Sequence, residues 1–519
     1  MNIRIRVMIY ALCISLASLL ITGCTTAPSL ADRTITHALT PEESQATTLG
    51  KAGMRLSSPY PGKTGIHTLA DAREAFAARV LLARAAQRTL DIQYYIWHGD
   101  LTGTLLFDSL RMAAERGVRV RLLLDDMTTS GLDSLLAALD SHPNIEIRLF
   151  NPFFIRSPRW INYLSDFSRL NRRMHNKSFT ADNQVTIVGG RNIGDEYFGA
   201  ADDMVFADLD VLAIGPVVKD VSRNFDDYWN SLSSYPVSLI LPPGDPLQLQ
   251  LLEERASKLE NDPRASAYFK ALRGSSLIRQ LSDGTIDLQW AKTKMVSDDP
   301  SKGLREAPPN ELLTHELGQI IGKPKSEVEL VSSYFVPTAA GVENFTAMAK
   351  RGVKIQILTN SLEATDVVAV HAGYAKRRKP LLRAGIKLYE MRRLSSDSQE
   401  KQSAGRFGIS GSSLHAKTFS VDGSRVFVGS FNFDPRSAKL NTELGFVIDS
   451  PELARAIAKA FHDKVPEIAY EVHLSETGDL YWIEQKDGKE IRHDTEPGAS
   501  LWRRLAVGFL SLLPIDWML

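Results

Sequence analysis

The sequence predicts an α/β protein of two related halves, and three observations predict it. Continuous apolar strand-like runs alternate with helix-like segments, the pattern of a sheet covered on both faces. The same order of elements occurs twice, with matching joints at Arg116-Gly117-Val118 and Arg351-Gly352-Val353. The motif His-x-Lys-x-x-x-x-Asp falls at the same point of each half. At 519 residues, 44% hydrophobic and 24% charged, the chain can build two domain cores and is too apolar to be disordered.

At the N-terminus, Arg4 and Arg6 precede a mostly apolar run from Val7 to Ile21, followed by Thr22-Gly23-Cys24. The run falls short of the roughly 20 residues of a spanning helix. Residues 1–23 therefore read as a secretory signal peptide, with a short attached membrane anchor as the alternative. Ile21-Thr22-Gly23-Cys24 resembles the bacterial lipobox, which implies that Cys24 is lipidated and becomes the first mature residue. Its lipid chains would hold the body to a membrane. Thr25 stands where lipoproteins kept in the inner membrane often carry Asp. The expected location is the bacterial cell envelope, facing the periplasm from the outer membrane. Cys13 and Cys24 are the only cysteines, so the body holds no disulfide framework and no thiolate metal site.

Residues 24–68, rich in Ser, Thr, Pro and Gly, read as a tether and entry segment. The first half, 69–230, reads as helix Ala78 to Thr89, strand Leu90 to Trp97, a helix to Arg116-Gly117, strand Val118 to Leu124, a helix around Leu132 to Leu139, and strand Ile145 to Phe150. Glycine after each helix is a helix stop that leads into the next strand. Residues 231–310 read as an insertion and connector with a helical patch at Pro246 to Leu259. The second half, 311–475, repeats the order with strands Val328 to Val336, Val353 to Leu358 and Ile386 to Tyr389, and a helix from Pro451 to about Phe461. Residues 476–519 hold a hairpin turning at Lys486-Asp487-Gly488, then an apolar tail from Leu501 behind Trp502, Arg503 and Arg504. The tail is too short to span a bilayer. It reads as an interfacial helix, with docking on the body as the alternative.

The chemistry lies in His175-Asn176-Lys177-Ser178-Phe179-Thr180-Ala181-Asp182 and His415-Ala416-Lys417-Thr418-Phe419-Ser420-Val421-Asp422. With 11 histidines in the chain, one such match is expected by accident about 0.03 times. Two at matching points of a repeat are not accidental. In an extended segment, residues two apart share a face, so Lys177 and Lys417 are expected to meet the phosphate that His175 and His415 address. Ile187-Val188-Gly189-Gly190-Arg191-Asn192 and Phe427-Val428-Gly429-Ser430-Phe431-Asn432 follow. Gly189 and Gly429 are expected to let backbone approach that phosphate, Asn192 and Asn432 to add donors, and Gly190 and Ser430 to complete the phosphate-binding set.

Two histidines suit a two-step displacement at phosphorus. One neutral imidazole attacks, and the other, as imidazolium, protonates the leaving alkoxide and then activates an acceptor hydroxyl. The lysines neutralise the transferring group, so neither a metal nor another cofactor is called for. A carboxylate behind each imidazole would fix its tautomer; the candidates are Asp208, Asp210 and Glu443. Arg169, Arg172 and Arg173, and the cluster Lys376 to Lys379, are candidate headgroup binders. Tyr94, Tyr95 and Trp97 line the site or fill the core.

The two motifs resemble the HKD motifs of the phospholipase D superfamily, and the resemblance covers nearly the whole mature chain. It implies two pseudo-twofold-related α/β/α sandwich domains with mixed sheets, facing each other across one site. It further implies His175 as nucleophile and His415 as acid and base. Lys177, Asp182, Lys417 and Asp422 complete the catalytic sets, and Asp208 and Glu443 match the family's imidazole-orienting acids. Leu90 to Trp97, Arg169 to Lys177, Gly189 to Phe198 and His371 to Tyr374 are similar to bacterial cardiolipin synthases of the C type. That similarity implies cardiolipin formation from phosphatidylglycerol and a second phospholipid through a phosphohistidine. Many cardiolipin synthases carry N-terminal membrane-spanning helices, where this chain has a lipobox. Hydrolysis to phosphatidic acid is the alternative, because water can replace the acceptor. A nuclease fits less well, since Lys+Arg and Asp+Glu both total 61 and no basic surplus is present. The expected partners are phospholipids and a membrane, not nucleic acid; an accessory protein is compatible with the sequence.

Overall fold

The computed structural model describes residues 27–200, 205–393, 413–486, 488–514 and 516–518. The expected signal peptide, the lipobox-like run with Cys24, and Asp487 of the expected hairpin turn lie outside the described residues. The strands of the first half are β1 (Thr64–Leu69), β2 (Thr89–Tyr94), β3 (Arg119–Asp125), β4 (Ile145–Phe150), β5 (Ser178–Ala181), β6 (Val185–Gly189), β7 (Phe206–Ala207), β8 (Asp210–Ile214) and β9 (Ser234–Pro236). Next comes β10 (Gln289–Ser297). The second half holds β11 (Glu327–Ser332), β12 (Lys354–Asn360), β13 (Lys387–Met391), β14 (Ser413–Leu414), β15 (Lys417–Val421), β16 (Arg425–Gly429), β17 (Leu444–Asp449) and β18 (Ala469–Leu474), and β19 (Leu480–Lys486) and β20 (Lys489–His493) close the chain as a hairpin.

Hydrogen-bonded neighbours run β9-β4-β3-β2-β5-β6-β8-β1 and continue β10-β17-β16-β15-β11-β12-β13-β18-β19-β20. The two runs mirror each other: β2, β3, β4, β5, β6 and β8 correspond to β11, β12, β13, β15, β16 and β17. In each, three strands are parallel and the rest antiparallel, so the sheet is mixed. The segment read as a connector supplies β10, which pairs with β1 on one side and β17 on the other. One continuous sheet therefore joins the halves. The sequence hid this strand because its two faces are unequally buried, unlike the fully buried β2.

The apolar runs arise because both sheet faces are covered. Leu122 and Leu124 of β3 face a core with Phe76, Leu106 and Phe107, while Leu123 between them faces Phe150, Phe225 and Trp229. A third core is shared by the halves, with Val188, Leu209 and Val211 packed among Leu414, Val428, Leu444 and Phe446. It fixes how the halves meet. The helix expected from Ala78 starts earlier, at Ala72, because Asp71 caps it by accepting from the Glu74 N–H at 2.8 Å. Gly117 and Gly352 end their helices with φ of +89° and +90°, the left-handed conformation glycine adopts freely.

Candidate active site

His175 and His415 lie just before β5 and β15, and the opposite half pins each one. The His175 N–H donates to Thr442 O at 2.9 Å, and the Thr442 N–H donates to Arg173 O at 2.9 Å. The His415 N–H donates to Ala207 O at 2.8 Å, beside the short parallel pair β7–β14. The acids are crossed in the same way. His175 Nδ1 meets Glu443 Oε2 at 2.8 Å, and His415 Nδ1 meets Asp208 Oδ2 at 2.6 Å. With Nδ1 engaged by a carboxylate, Nε2 is the ring nitrogen left for chemistry. Lys177 Nζ donates to His175 O at 2.7 Å and sits 5.4 Å from the Tyr95 ring centre. Lys417 Nζ donates to Ser333 Oγ at 3.0 Å and to His415 O. His175 feels the charges of Lys417 and Asp208, so both motifs share one electrostatic site.

The open choice among acids resolves on geometry. Asp210 is occupied by Arg79 at 2.8 Å and Arg191 at 3.4 Å, which leaves Asp208 for His415. Ser430 donates to Glu443 Oε2 at 2.5 Å. Asn432 Oδ1 accepts from Ser333 Oγ at 3.0 Å, and Asn192 Oδ1 accepts from the Ile96 N–H at 3.2 Å. Asn192 Nδ2 is buried and turned toward Tyr197, the ring that walls His415. The glycines pack closely on the acid-bearing segments. A Cβ on Gly190 would lie 2.2 Å from Asp208 Oδ1, one on Gly189 would lie 2.1 Å from Asp210 Oδ1, and one on Gly429 would lie 2.5 Å from Leu444 O. They make room for the acid-bearing segments.

Three expectations need correction. Asp182 and Asp422 sit at the far ends of β5 and β15 from the histidines. Asp182 accepts from the N–H groups of Gln87, Arg88 and Thr89, and Asp422 from those of Lys325, Ser326 and Glu327. A four-residue strand at roughly 3.4 Å per residue separates Asp182 from Lys177. These carboxylates tie strand starts together and touch no reacting group. Arg173 is not free to bind phosphate: it is buried in an ion pair with Asp125 at 2.8 Å and also donates to the carbonyls of Asn151 and Leu170. In the second basic cluster, Lys376 and Arg377 pair with Asp516, and Arg378 is buried against Glu390 and Glu496. Of the aromatic trio, Tyr95 meets His175 edge-on at 5.0 Å, whereas Tyr94 and Trp97 are core. Tyr197 and Phe206 wall His415 at 5.1 and 5.0 Å.

Sequence reading missed Asp298 and Lys302, because the connector shows no motif around them. Asp298 Oδ2 accepts from Lys302 Nζ at 2.8 Å and from the Glu443 N–H at 2.9 Å, and the Asp298 N–H returns a bond to Glu443 O at 3.0 Å. Lys302 also donates to Ser437 O at 2.9 Å. The pair grips the backbone of the acid that orients His175. The i, i+4 spacing of the two residues was the available signal, though it is common on any chain.

Burial sets the charges. It pushes His175 well below the ordinary imidazole value, aided by Lys177 and Lys417. It lowers His415 to about 4, aided by Lys417 and against the pull of Asp208. Burial alone would raise Asp208, but His415, their hydrogen bond and Lys417 outweigh it and hold the carboxyl at about 2. Burial raises Glu443 to about 7, against Lys177 and Ser430. Burial lowers Lys417 to about 8 and Lys177 well below its ordinary value. Burial therefore favours neutral imidazoles, and a phosphodiester anion placed among them would draw positive charge back to the lysines and to one ring.

Lys302 is among the groups that draw Glu443 toward ionisation. Lys302→Met is expected to lower turnover about tenfold and to move the acid limb of its pH profile to higher pH, because Glu443 then ionises later; Lys302→Arg should retain most activity. An unshifted pH profile for Lys302→Met would contradict this role.

Comparison with known proteins fits this geometry. The family model described as "Cardiolipin synthase, PLD-like domain" matches twice, over residues 81–229 and 317–465. The chain is 51% identical over 471 residues to cardiolipin synthase C of Escherichia coli (strain K12), covering 91% of this chain and 99% of that protein. It is 32% identical over 477 residues to an uncharacterized protein of Helicobacter pylori (strain J99), covering 90% and 92%. It is 26% identical over 422 residues to a cardiolipin synthase of Staphylococcus aureus (strain Mu50), covering 80% and 70%. The crystal structure of phosphatidylserine synthase from Haemophilus influenzae matches with a TM-score of 0.56 at 13% identity, over 90% of this chain and 99% of that one, a likeness of fold.

Proposed function

The chain belongs to the cardiolipin synthase family with phospholipase D-like domains, and from that membership we propose that it is a phosphatidyltransferase forming cardiolipin from phosphatidylglycerol and a second phospholipid. The observation that carries the reading is the pair of crossed imidazole–carboxylate dyads, His175–Glu443 and His415–Asp208, buried beside two lysines. His175 Nε2 attacks the donor phosphorus and forms the P–N bond. The bond to the headgroup oxygen breaks, and His415 Nε2–H gives that alkoxide its proton. His415 then takes the proton of an acceptor lipid's glycerol hydroxyl. That oxygen attacks phosphorus, the P–N bond breaks, and His175 is released. Lys177, Lys417 and Asn192 Nδ2 stabilise the charge on the transferring phosphoryl oxygens. Lipid mass spectrometry of vesicles of phosphatidylglycerol, with and without phosphatidylethanolamine, tests this. Cardiolipin is expected; phosphatidic acid in its place would mark a hydrolase, and no lipid turnover would overturn the reading.

The same reading extends to location. Cys24 is lipidated after removal of residues 1–23, and the protein is held on the outer membrane facing the periplasm. Support comes from the lipobox sequence and from Thr25. Among the described residues no helix is long and apolar enough to cross a membrane. Cys24→Ser is expected to shift the protein from the membrane pellet into a high-salt wash in cell fractionation. Retention in the salt-washed pellet would count against the anchor.

A further inference from the structure

The surface carries two exposed apolar stripes, one on the first half and one on the C-terminal segment. On the first side, Trp160, Leu164 and Phe167 point outward along the turn Arg159–Ile161 and the helix Asn162–Leu170; Leu164 is 74% exposed. Tyr163 among them packs on Phe153 at 5.6 Å and lies within electrostatic range of Tyr95, the ring against His175. On the second side, the helix Leu501–Ser511 buries Val507 against Leu362 and Ala372. It turns Trp502, Leu505, Phe509 and the C-cap Leu512 to solvent, with Trp502 78% and Leu512 83% exposed. Their i, i+3, i+7, i+10 spacing makes one face. Arg503 of this helix donates to Thr365 O at 2.8 Å, next to Asp366, which accepts from the Tyr334 hydroxyl at 2.7 Å and acts on Lys417. Arg436 ties the two sides, donating to Asn171 Oδ1 at 2.6 Å and to Met518 O at 3.1 Å.

Aromatic and aliphatic side chains this exposed, gathered in stripes, mark an interaction surface. Charge selects what covers it. Arg172, Arg436, Arg503 and Arg504 around the stripes form no ion pair with a carboxylate among the described residues. An apolar face rimmed by unneutralised guanidinium groups fits acyl chains beneath anionic headgroups.

We propose that the two stripes form a docking rim seated in the headgroup–acyl boundary of an anionic phospholipid bilayer, so that the site opens directly onto the leaflet. A lipid then reaches His175 and His415 without its chains crossing water. This rests on the phosphatidyl-transfer reading for the substrate, and the test separates the two.

The full chain is reconstituted into vesicles of phosphatidylglycerol with brominated acyl chains. Trp160→Phe and Trp502→Phe are each expected to remove part of the bromine quenching of tryptophan emission, and the double variant to reduce it about threefold. Leu164→Asp with Phe509→Asp is expected to lower turnover of vesicle lipid about tenfold, while turnover of monomeric dihexanoyl phosphatidylglycerol stays within about twofold. Quenching that neither tryptophan carries overturns the rim, as does an equal loss on both substrates. Emission of Trp160 and Trp502 that shifts with protein concentration before vesicles are added would make the stripes a contact between copies, and also overturns it. Quenching by both tryptophans with neither lipid converted would support the rim and refute the transfer chemistry.

Discussion

His175→Ala is expected to reduce cardiolipin formation by at least about three orders of magnitude, because the nucleophile and its covalent intermediate are lost together. His415→Ala is expected to lose about 10²- to 10⁴-fold, the range of a general acid–base group. The two losses differ in kind. A phosphatidyl ester of p-nitrophenol leaves as a stable phenolate that needs no proton. Release of that phenolate is therefore expected to recover substantially in His415→Ala and not at all in His175→Ala. The readout is a burst of nitrophenolate with the lipid held on the protein, which in His415→Ala accumulates as a phosphohistidine because the second step still lacks its base. Recovery in His175→Ala instead would exchange the two roles, and full activity in either variant would sink the shared site. Both variants should fold: each ring is almost fully buried, but the backbone bonds to Thr442 and Ala207 that hold these segments do not involve the side chains.

Glu443→Gln is expected to cost about 10²- to 10⁴-fold in turnover while making the protein more stable at alkaline pH. When ionised, Glu443 can only accept, which sets His175 with Nδ1 protonated and Nε2 bare; an amide can present a donor to Nδ1 and reverse that tautomer. The sign of the stability effect follows from the raised carboxyl. Burial lifts Glu443 from an ordinary 4.5 to about 7, so the folded state prefers the protonated acid. Its contribution is full below about pH 4.5 and is lost as pH rises through 7. At pH 8 the wild-type fold carries an ionised, fully buried carboxylate that an amide removes, a difference of up to about 3 kcal/mol. Thermal unfolding of both proteins at pH 5 and pH 8 checks this. The variant should gain melting temperature at pH 8 and much less at pH 5. No gain at pH 8 would mean that Glu443 is not strained by burial.

Much of this was legible in the sequence, for identifiable reasons. Strands such as β3 declared themselves because both faces are buried, which leaves an unbroken apolar run. The histidines and lysines declared themselves because chemistry duplicated their spacing. What the sequence obscured depends on long-range geometry. The acidic ends of the two motifs share the period of the catalytic residues, yet an intervening strand carries them away from the imidazoles, where they accept from backbone N–H groups. Arg173 looked like a phosphate binder next to His175, but Asp125, at the end of β3, claims it. Nothing local to Asp298 or Lys302 announces that a strand from the middle of the chain brings them under Glu443. The glycines signalled close approach, and the structure shows that Gly189 and Gly190 approach carboxylates of the protein itself.

The crossing of the dyads has a consequence for the life of the chain before it is finished. Each imidazole takes its carboxylate from the other half: His175 precedes Glu443 by most of the second half, and Asp208 waits for His415. A first half that has emerged and folded alone therefore holds a histidine with no tautomer set and a carboxylate with nothing to steer. The shared sheet edge and the shared apolar core must close before either ring is armed. An enzyme that transfers phosphatidyl groups thus stays inert during its own synthesis, and completion of the fold is what switches it on.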